Sequence, residues 1–388
     1  MQIPAYVNSV LQTLENAGYS AYVVGGAVRD HLRGVVPTDW DVATSALPQQ
    51  IQRAFSAYET VLTGLAHGTV TVLVQGKSVE VTSFRREGTY TDRRHPDSVS
   101  FGCDLTQDLA RRDLTVNAIA YSPTRGLADP FGGREDLKKG ILRTVGDPEK
   151  RFDEDALRIL RTLRFGATLG FEIEESTARA ITRGMESLRQ VSAQRLQKEL
   201  LLLLEGAHAP RILQAFGGLL PLLLGLNPRP ETLSLLTEAQ GSALRLALLW
   251  EDCPVNEAQL AMRELTFSNS HIRAVTQLLT LGRAFPEDSA DRVLLWGQTG
   301  KDFLALCQYH CLRTAENFGP YQALFERLER EKPCATLAGL CLKGDDLTAL
   351  GLKGKEISGT LQALLRRVVA GELPNEKKAL LRAVEKNT

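Results

Sequence analysis

No apolar run in this 388-residue chain approaches the ~20 residues that a bilayer-crossing helix requires. The longest, 200–204 and 219–224, have the length of core-helix segments. Nor is there an excess of charge: 46 Lys and Arg balance 46 Asp and Glu, so no long-range field gathers nucleic acid, and any RNA contact must come from local patches. Cysteine is sparse and scattered (Cys103, Cys253, Cys307, Cys311, Cys334, Cys341), which suits reduced thiols better than a bridged framework. Cys307-Gln308-Tyr309-His310-Cys311 lacks a second ligand pair at zinc-finger spacing, so core or surface roles are expected there. The chain has no Gly-x-Gly-x-x-Gly fingerprint, no Gly-Lys-Ser/Thr phosphate loop and no repeat period. None of its six His precedes an Asp, which removes an appended His-Asp phosphohydrolase. Met1-Gln2-Ile3-Pro4 opens no basic-then-apolar leader, and a cytoplasmic location away from membranes is expected. What remains, at 43% hydrophobic and 24% charged, is an ordinary globular composition. It excludes a disordered chain or a collagen, and the length predicts about two to four domains.

The pattern changes along the chain. An amphipathic helix over about 7–17 stops at Gly18, and the apolar stretch Ala21–Val24 reads as a strand running into Gly25-Gly26. A helix opens there and closes at Gly34. Two strand-like segments, Thr69–Val74 and 78–84, flank Gln75-Gly76-Lys77, which is a hairpin signal. A small mixed sheet is therefore expected. Residues 87–104 are polar, rich in Arg and aperiodic, as expected of an excursion that carries function. From 153–167 onward the apolar spacing is helical, with breaks at glycines and prolines. The fold class expected is α+β: a small mixed-sheet head over 1–138, then helices throughout, divided into 139–207, 208–320 and 321–388.

In a strand, side chains at i and i+2 share a face, so Asp39 and Asp41 can project together and share a divalent metal. Glu80, acidic within an apolar strand, is explained if it joins them as a third carboxylate. Two metals ~3.5–4 Å apart can activate an attacking hydroxyl and offset charge on a leaving pyrophosphate. Alone, an Asp-x-Asp is far more often a solvated turn, so the surrounding motifs must carry the reading. Upstream, Gly25 and Gly26 after a strand let backbone N–H groups approach an anion, with Arg29 adding charge, so a phosphate seat is expected.

Gly25-Gly26-Ala27-Val28-Arg29-Asp30 followed by Asp39-Trp40-Asp41 resembles the head of the DNA polymerase beta superfamily of nucleotidyltransferases. Within it, the likeness is to the class II tRNA CCA-adding enzymes and bacterial poly(A) polymerases. Arg111-Arg112-Asp113-Leu114-Thr115-Val116-Asn117-Ala118 is similar to the family's ribose-selecting motif. Asp129-Pro130-Phe131-Gly132-Gly133-Arg134-Glu135-Asp136-Leu137 is similar to its head-to-neck connector. Glu154-Asp155-Ala156-Leu157-Arg158 matches its base-recognition motif, and Ser192-Ala193-Gln194-Arg195 with Glu199 its neck motif. Where the family commonly has Glu before that Arg, this chain has Gln194, so one neck ion pair is in question.

Base choice follows from hydrogen-bonding chemistry. On a helix, Glu154, Asp155 and Arg158 stand at i,i+3 and i,i+4 spacing and can share one face. Asp155 can accept and Arg158 can donate. Cytosine and adenine each present an amino donor beside a ring-nitrogen acceptor, whereas uracil and guanine present a carbonyl beside an N–H. The pair therefore fits C and A and mismatches U and G. Asp113 and Asn117, four apart, can hold ribose hydroxyls, and Arg112 and Arg161 are the expected triphosphate partners. The loop from Glu87 to Pro96 is the element expected to re-aim the pair from C to A; in the family this loop is needed for A addition.

Residues 351–388 carry eight Lys and Arg against four Glu, a surplus of four positive charges. With Gly344-Asp345-Asp346-Leu347 and the glycines that follow, the segment resembles the tRNA-binding tail of the bacterial CCA-adding enzymes. The resemblance implies a head, neck, body and tail, and an enzyme that adds C, C and A to the tRNA 3′ end from CTP and ATP with Mg²⁺. An A-adding enzyme, a poly(A) polymerase and, from a different class, a catalytically silent RNA- or nucleotide-binding protein are the alternatives. The sequence leaves a homodimer undetermined.

Overall fold

Residues 1–62, 64, 67–88 and 98–385 are described by a computed structural model. The chain divides into two units, Met1–Asn227 and Pro228–Thr388. In the first, α1 (Ala5–Asn16) leads to β1 (Ala21–Val24), α2 (Gly26–Leu32), β2 (Asp41–Thr44), α3 (Pro48–Ala54), β3 (Glu59–Val61), β4 (Thr69–Val74) and β5 (Lys77–Ser83). After the paired strands β6 (Arg85–Glu87) and β7 (Val99–Phe101) come α4 (Leu105–Ala110), β8 (Ala120–Ser122) and β9 (Gly126–Ala128). Among the described residues the main sheet runs β3-β4-β5-β2-β1-β8-β9. Every pairing in it is antiparallel except β2 with β5, whose register sets Asp41 beside Glu80.

Alternation decides which face is buried. Val70, Val72, Val74, Val79 and Val81 turn to one side and pack against Val7, Val10, Leu11 and Leu14 of α1 and Ile51 of α3. Each such burial contributes about 1.5–3 kcal/mol. The intervening Glu80 is exposed, which corrects the expectation of an acidic residue in a buried strand. With a period of two, the apolar neighbours face away from it and its exposure requires no partner. The hairpin turn is tighter than expected: Val74 pairs with Lys77, and both central residues, Gln75 (φ 53°) and Gly76 (φ 72°), are left-handed, as two-residue hairpins favour.

The helical part of this unit contains α5 (Gly133–Lys139), the short strand β10 (Ile141–Leu142), α6 (Pro148–Glu154), α7 (Leu157–Leu169), the short strand β11 (Glu172–Ile173), α8 (Glu175–Gly184), α9 (Ala193–Glu205), α10 (Ala209–Ala215) and α11 (Leu219–Leu224). The single helix expected over 153–167 is two. Asp155 is extended (φ −146°, ψ 104°), and its Oδ1 accepts from the Leu157 amide at 3.1 Å. A short acidic side chain that bonds nearby backbone competes with the helix at that point, so α6 stops and α7 starts afresh. The connector motif explains itself similarly: Asp129 accepts from the amides of Gly133 (2.7 Å) and Arg134 (2.9 Å), capping α5.

The second unit runs through α12 (Pro230–Leu235), α13 (Ser242–Leu249), α14 (Val255–Glu264), α15 (Asn269–Leu281), α16 (Ser289–Thr299), α17 (Asp302–Thr314), α18 (Gly319–Glu331), α19 (Gly344–Ala349), α20 (Lys355–Val369) and α21 (Lys377–Glu385). Leu340, Leu347, Leu364, Leu365 and Leu380 form the core of its last part. Cys307 and Cys311 are buried on α17, and all six cysteines are free thiols. Of the boundaries expected near 138, 207 and 320, the first falls inside α5, the second between α9 and α10, and the third inside α18. Among the described residues no helix is long and apolar enough to cross a membrane.

A Cβ at Gly133 would meet the Thr115 carbonyl oxygen at 2.2 Å. Gly133→Ala is expected to push α5 off the turn that carries Asn117 and to lower stability by about 1–3 kcal/mol in a thermal or denaturant melt. An unchanged melt would show that the two elements separate freely.

Candidate active site

Between the sheet and α7 lies a cleft of about 620 Å³. One wall is acidic. Asp39 and Asp41 both line it, Asp41 as the first residue of β2 and Asp39 just before the strand. The Trp40 amide donates to Asp39 Oδ1 at 3.1 Å, which fixes the turn into the strand. Burial, then the charges of Asp39 and Glu80, push the Asp41 carboxyl up to about 6, with Arg112 opposing the rise. Uncompensated negative charge of this kind is relieved by a bound cation. Glu80 stands next to Asp41 in the sheet without lining the cleft. Among the described residues no group of three or more His, Cys, Asp or Glu is placed to hold a metal by itself. The donor set fits a hard divalent ion held by two carboxylates and completed by substrate phosphates and water.

The rest of the lining is rich in arginine. Arg29 donates to Asp30 through Nε and Nη2 (both 2.9 Å) and to Asn117 Oδ1 through Nη1 (2.8 Å), and its guanidinium lies 5.1 Å from the Phe165 ring centre. It is thus fixed in place rather than extended toward solvent. Arg112 reaches the Asn117 carbonyl at 3.4 Å and Asp108 at 3.6 Å. Burial lowers its affinity for the proton and Asp108 counters this; its Nε has no hydrogen-bond partner among the described residues. Gly25 (φ 68°) is required twice over, since a Cβ there would be strained and would lie 2.9 Å from Arg112 Nη1.

Asp113 links members of this lining. Its Oδ1 accepts from the Leu114 amide (2.8 Å) and from Asn117 Nδ2 (3.1 Å), and its Oδ2 accepts from Arg161 Nε (2.9 Å) and Nη2 (2.7 Å). Burial alone would raise this carboxyl, but the Arg161 charge and these hydrogen bonds hold it well below the usual carboxylate range. Arg161 lies 3.5 Å from Glu199, and Arg164 donates to the same carboxylate at 2.5 Å.

Asp155 and Arg158 line the cleft, while Glu154 stands behind them. Arg158, on α7, donates to Glu154 and, at 3.2 Å, to the carbonyl of Arg111. Asp155 Oδ2 accepts from Arg195 at 2.7 Å, so the neck motif supports the recognition residue even with Gln194 in place of Glu. The i,i+4 helical face expected for Glu154 and Arg158 is replaced by a contact across the break at Asp155. Arg111, Arg164 and Phe165 also line the cleft and were not singled out from the sequence. The spacing of Arg158, Arg161 and Arg164, one helical turn apart, is the signal that could have found the second of these. The expected switching loop falls largely on 89–97, outside the described residues.

An acidic pair in an arginine-rich cleft, on a small mixed sheet followed by helices, is the arrangement of a nucleotidyltransferase. The poly(A) polymerase head domain matches residues 21–143, tRNA nucleotidyltransferase domain 2 matches 239–384, and "Probable RNA and SrmB- binding site of polymerase A" matches 170–216. The CCA-adding enzyme of Geobacillus stearothermophilus is 36% identical over 381 residues, covering 96% of this chain and 94% of that one. The CCA-adding enzyme of Levilactobacillus brevis is 37% identical over 395 aligned positions, covering 97% and 96%. The crystal structure of the Bacillus stearothermophilus CCA-adding enzyme in complex with CTP matches with a TM-score of 0.85 at 33% identity over the whole of both chains. The chain belongs to the CCA-adding enzyme family of tRNA nucleotidyltransferases, which implies dependence on a divalent metal.

Because the Asp113 carboxyl is depressed, its ionised form stabilises the fold above its unfolded value of about 3.9, and this contribution is lost as pH falls below that value toward the folded one. Asp113→Asn is expected to be about 3 kcal/mol less stable at pH 7. The gap to the parent protein should narrow below pH ~4; a gap that stays constant with pH would assign the loss to packing.

Proposed function

We propose that this chain adds C, C and A in turn to the 3′ end of tRNA from CTP and ATP, releasing pyrophosphate and using no nucleic-acid template. The observation that carries the reading is one cleft lined by Asp39 and Asp41 together with Asp155 and Arg158. The metal is Mg²⁺, held by Asp39 and Asp41 with Glu80 contributing charge; when bound it supplies activation of the terminal hydroxyl and stabilisation of the departing pyrophosphate. Arg112, with its unpartnered Nε, and Arg29 with the Gly25-Gly26 turn seat the triphosphate, and Arg161 lends its charge from its place between Asp113 and Glu199. Asp113 and Asn117 meet the ribose. Asp155 accepts from the amino group of cytosine or adenine and Arg158 donates to the adjacent ring nitrogen. Glu154 and Arg195 keep these two groups aimed. Residues 1–138 supply the chemistry, 139–207 the base recognition, 208–320 form the helical body, and 321–388, with its basic end 351–388, holds tRNA. The enzyme works in the cytoplasm.

Labelled CTP and ATP offered to tRNA ending at the discriminator base, to tRNA ending in CC, and to an unstructured RNA test this directly. Addition of C, C and A followed by a stop is expected on the first substrate. Addition of A to the CC end alone would identify an A-adding enzyme, long A tracts on unstructured RNA a poly(A) polymerase, and RNA binding without transfer a silent scaffold. Asp41→Asn is expected to reduce transfer by on the order of 10³-fold or more, leaving tRNA binding in a filter or gel-shift assay intact. Asp155→Ala is expected to narrow the preference for CTP and ATP over UTP and GTP by about 10–100-fold. Continued exclusion of UTP and GTP at the parental level would remove Asp155 from base selection.

A further inference from the structure

Asp113 is saturated. An ionised carboxylate offers about four lone-pair sites, and four donors occupy them: the Leu114 amide, Asn117 Nδ2, and Nε and Nη2 of Arg161. The companion group is occupied as well, since Asn117 Oδ1 accepts from Arg29 while its Nδ2 is given to Asp113. A ribose hydroxyl that donates to Asp113 must therefore displace a donor. The Leu114 amide is tied to the backbone, and Asn117 is clamped by Arg29. Arg161 is the donor with somewhere else to go. Its side chain is 36% exposed, and its third nitrogen, Nη1, already stands 3.5 Å from the buried carboxylate of Glu199 on α9.

We propose that Glu199 is a positioning residue for sugar selection: it receives Arg161 when a ribose 2′-hydroxyl takes the place of Arg161 on Asp113 Oδ2. Two carboxylates thus flank one guanidinium, and the exchange swaps one charged hydrogen bond for another instead of stranding a buried cation. Without Glu199, Arg161 remains on Asp113, and the hydroxyl meets an acceptor that does not open. A 2′-deoxynucleotide brings no 2′-hydroxyl, so it does not displace Arg161 and gains nothing from Glu199. The separation of ribo- from deoxynucleotides is therefore set partly on the neck helix, one residue removed from the group that touches the sugar.

The inference rests on the nucleotidyltransfer reading above, and its test separates the two. Transfer from CTP, ATP, dCTP and dATP to tRNA would be measured for the parent protein, Glu199→Gln, Arg161→Gln and the double variant, with a thermal melt for each. In Glu199→Gln, KM for CTP and ATP is expected to rise about tenfold while dCTP and dATP change less than about twofold, so the ribose preference shrinks. Because Glu199 acts only by receiving Arg161, its loss should have no further effect once Arg161 is gone, so the ribose preference of the double variant should match that of Arg161→Gln. Should Glu199→Gln not fold, since Arg164 also leans on this carboxylate, Glu199→Asp serves, with an intermediate loss of ribose preference expected. Equal effects on ribo- and deoxynucleotides, or independent losses in the double variant, would overturn the positioning role and leave the enzyme's activity standing. A parent protein that transfers no nucleotide would instead overturn the activity on which the role depends.

Discussion

Two arginines of α7 reach across to the sheet domain, and the cleft exists because both find partners there. Arg161 grips Asp113, and Arg158 donates to the carbonyl of Arg111. These are charge-assisted bonds in a largely dry setting, where a donor removed on one side strands charge on the other. They tie the start of α7 to the sheet domain, so that Asp155 and Arg158 line the same cleft as Asp39 and Asp41. An isolated antiparallel β-bridge between Leu114 and Thr144 ties the backbone beside Asp113 to the segment between β10 and α6.

Internal charge separation accounts for how a chain with no net charge can handle a triphosphate. The groups keep distinct neighbours rather than averaging: Asp30, Asp113 and Asp155 are each paired with an arginine of the lining, while Asp39 and Asp41 form an acidic patch at the start of β2. In that patch Asp41 is left electrostatically uncomfortable by Asp39 and Glu80. Elsewhere in the lining, several guanidiniums are held by carboxylates behind them, Glu154 for Arg158 and Glu199 for Arg164. Such buttressing orients each arginine before a ligand arrives, so binding costs less conformational freedom.

Much of this is legible in the chain. Ala21–Val24 reads as a strand because it is short, β-branched and bounded by Gly25, and the hairpin around Gly76 announces itself by alternation and a turn signal. Asp39, Asp41, Asp113, Asn117, Asp155 and Arg158 are all legible as site candidates, and the structure places them in one cleft. Two readings fail for physical reasons. Apolar spacing continues through 153–167 although Asp155 interrupts the helix, because periodicity reports which face is buried and is blind to a side chain that caps its own backbone. Glu80 looks buried when its strand is read as a continuous apolar run and is exposed when it is read with a period of two. The four-donor saturation of Asp113 lies beyond sequence reading altogether, since Arg161 is 48 residues away.

Every residue that lines the cleft falls between Gly25 and Arg195, inside the unit that ends at Asn227. Heredity can treat the two halves of the gene separately. Drift, duplication or recombination downstream of codon 227 leaves every residue of that lining untouched. Upstream, almost every arginine in the cleft answers to a partner carboxylate, and change there must come in pairs.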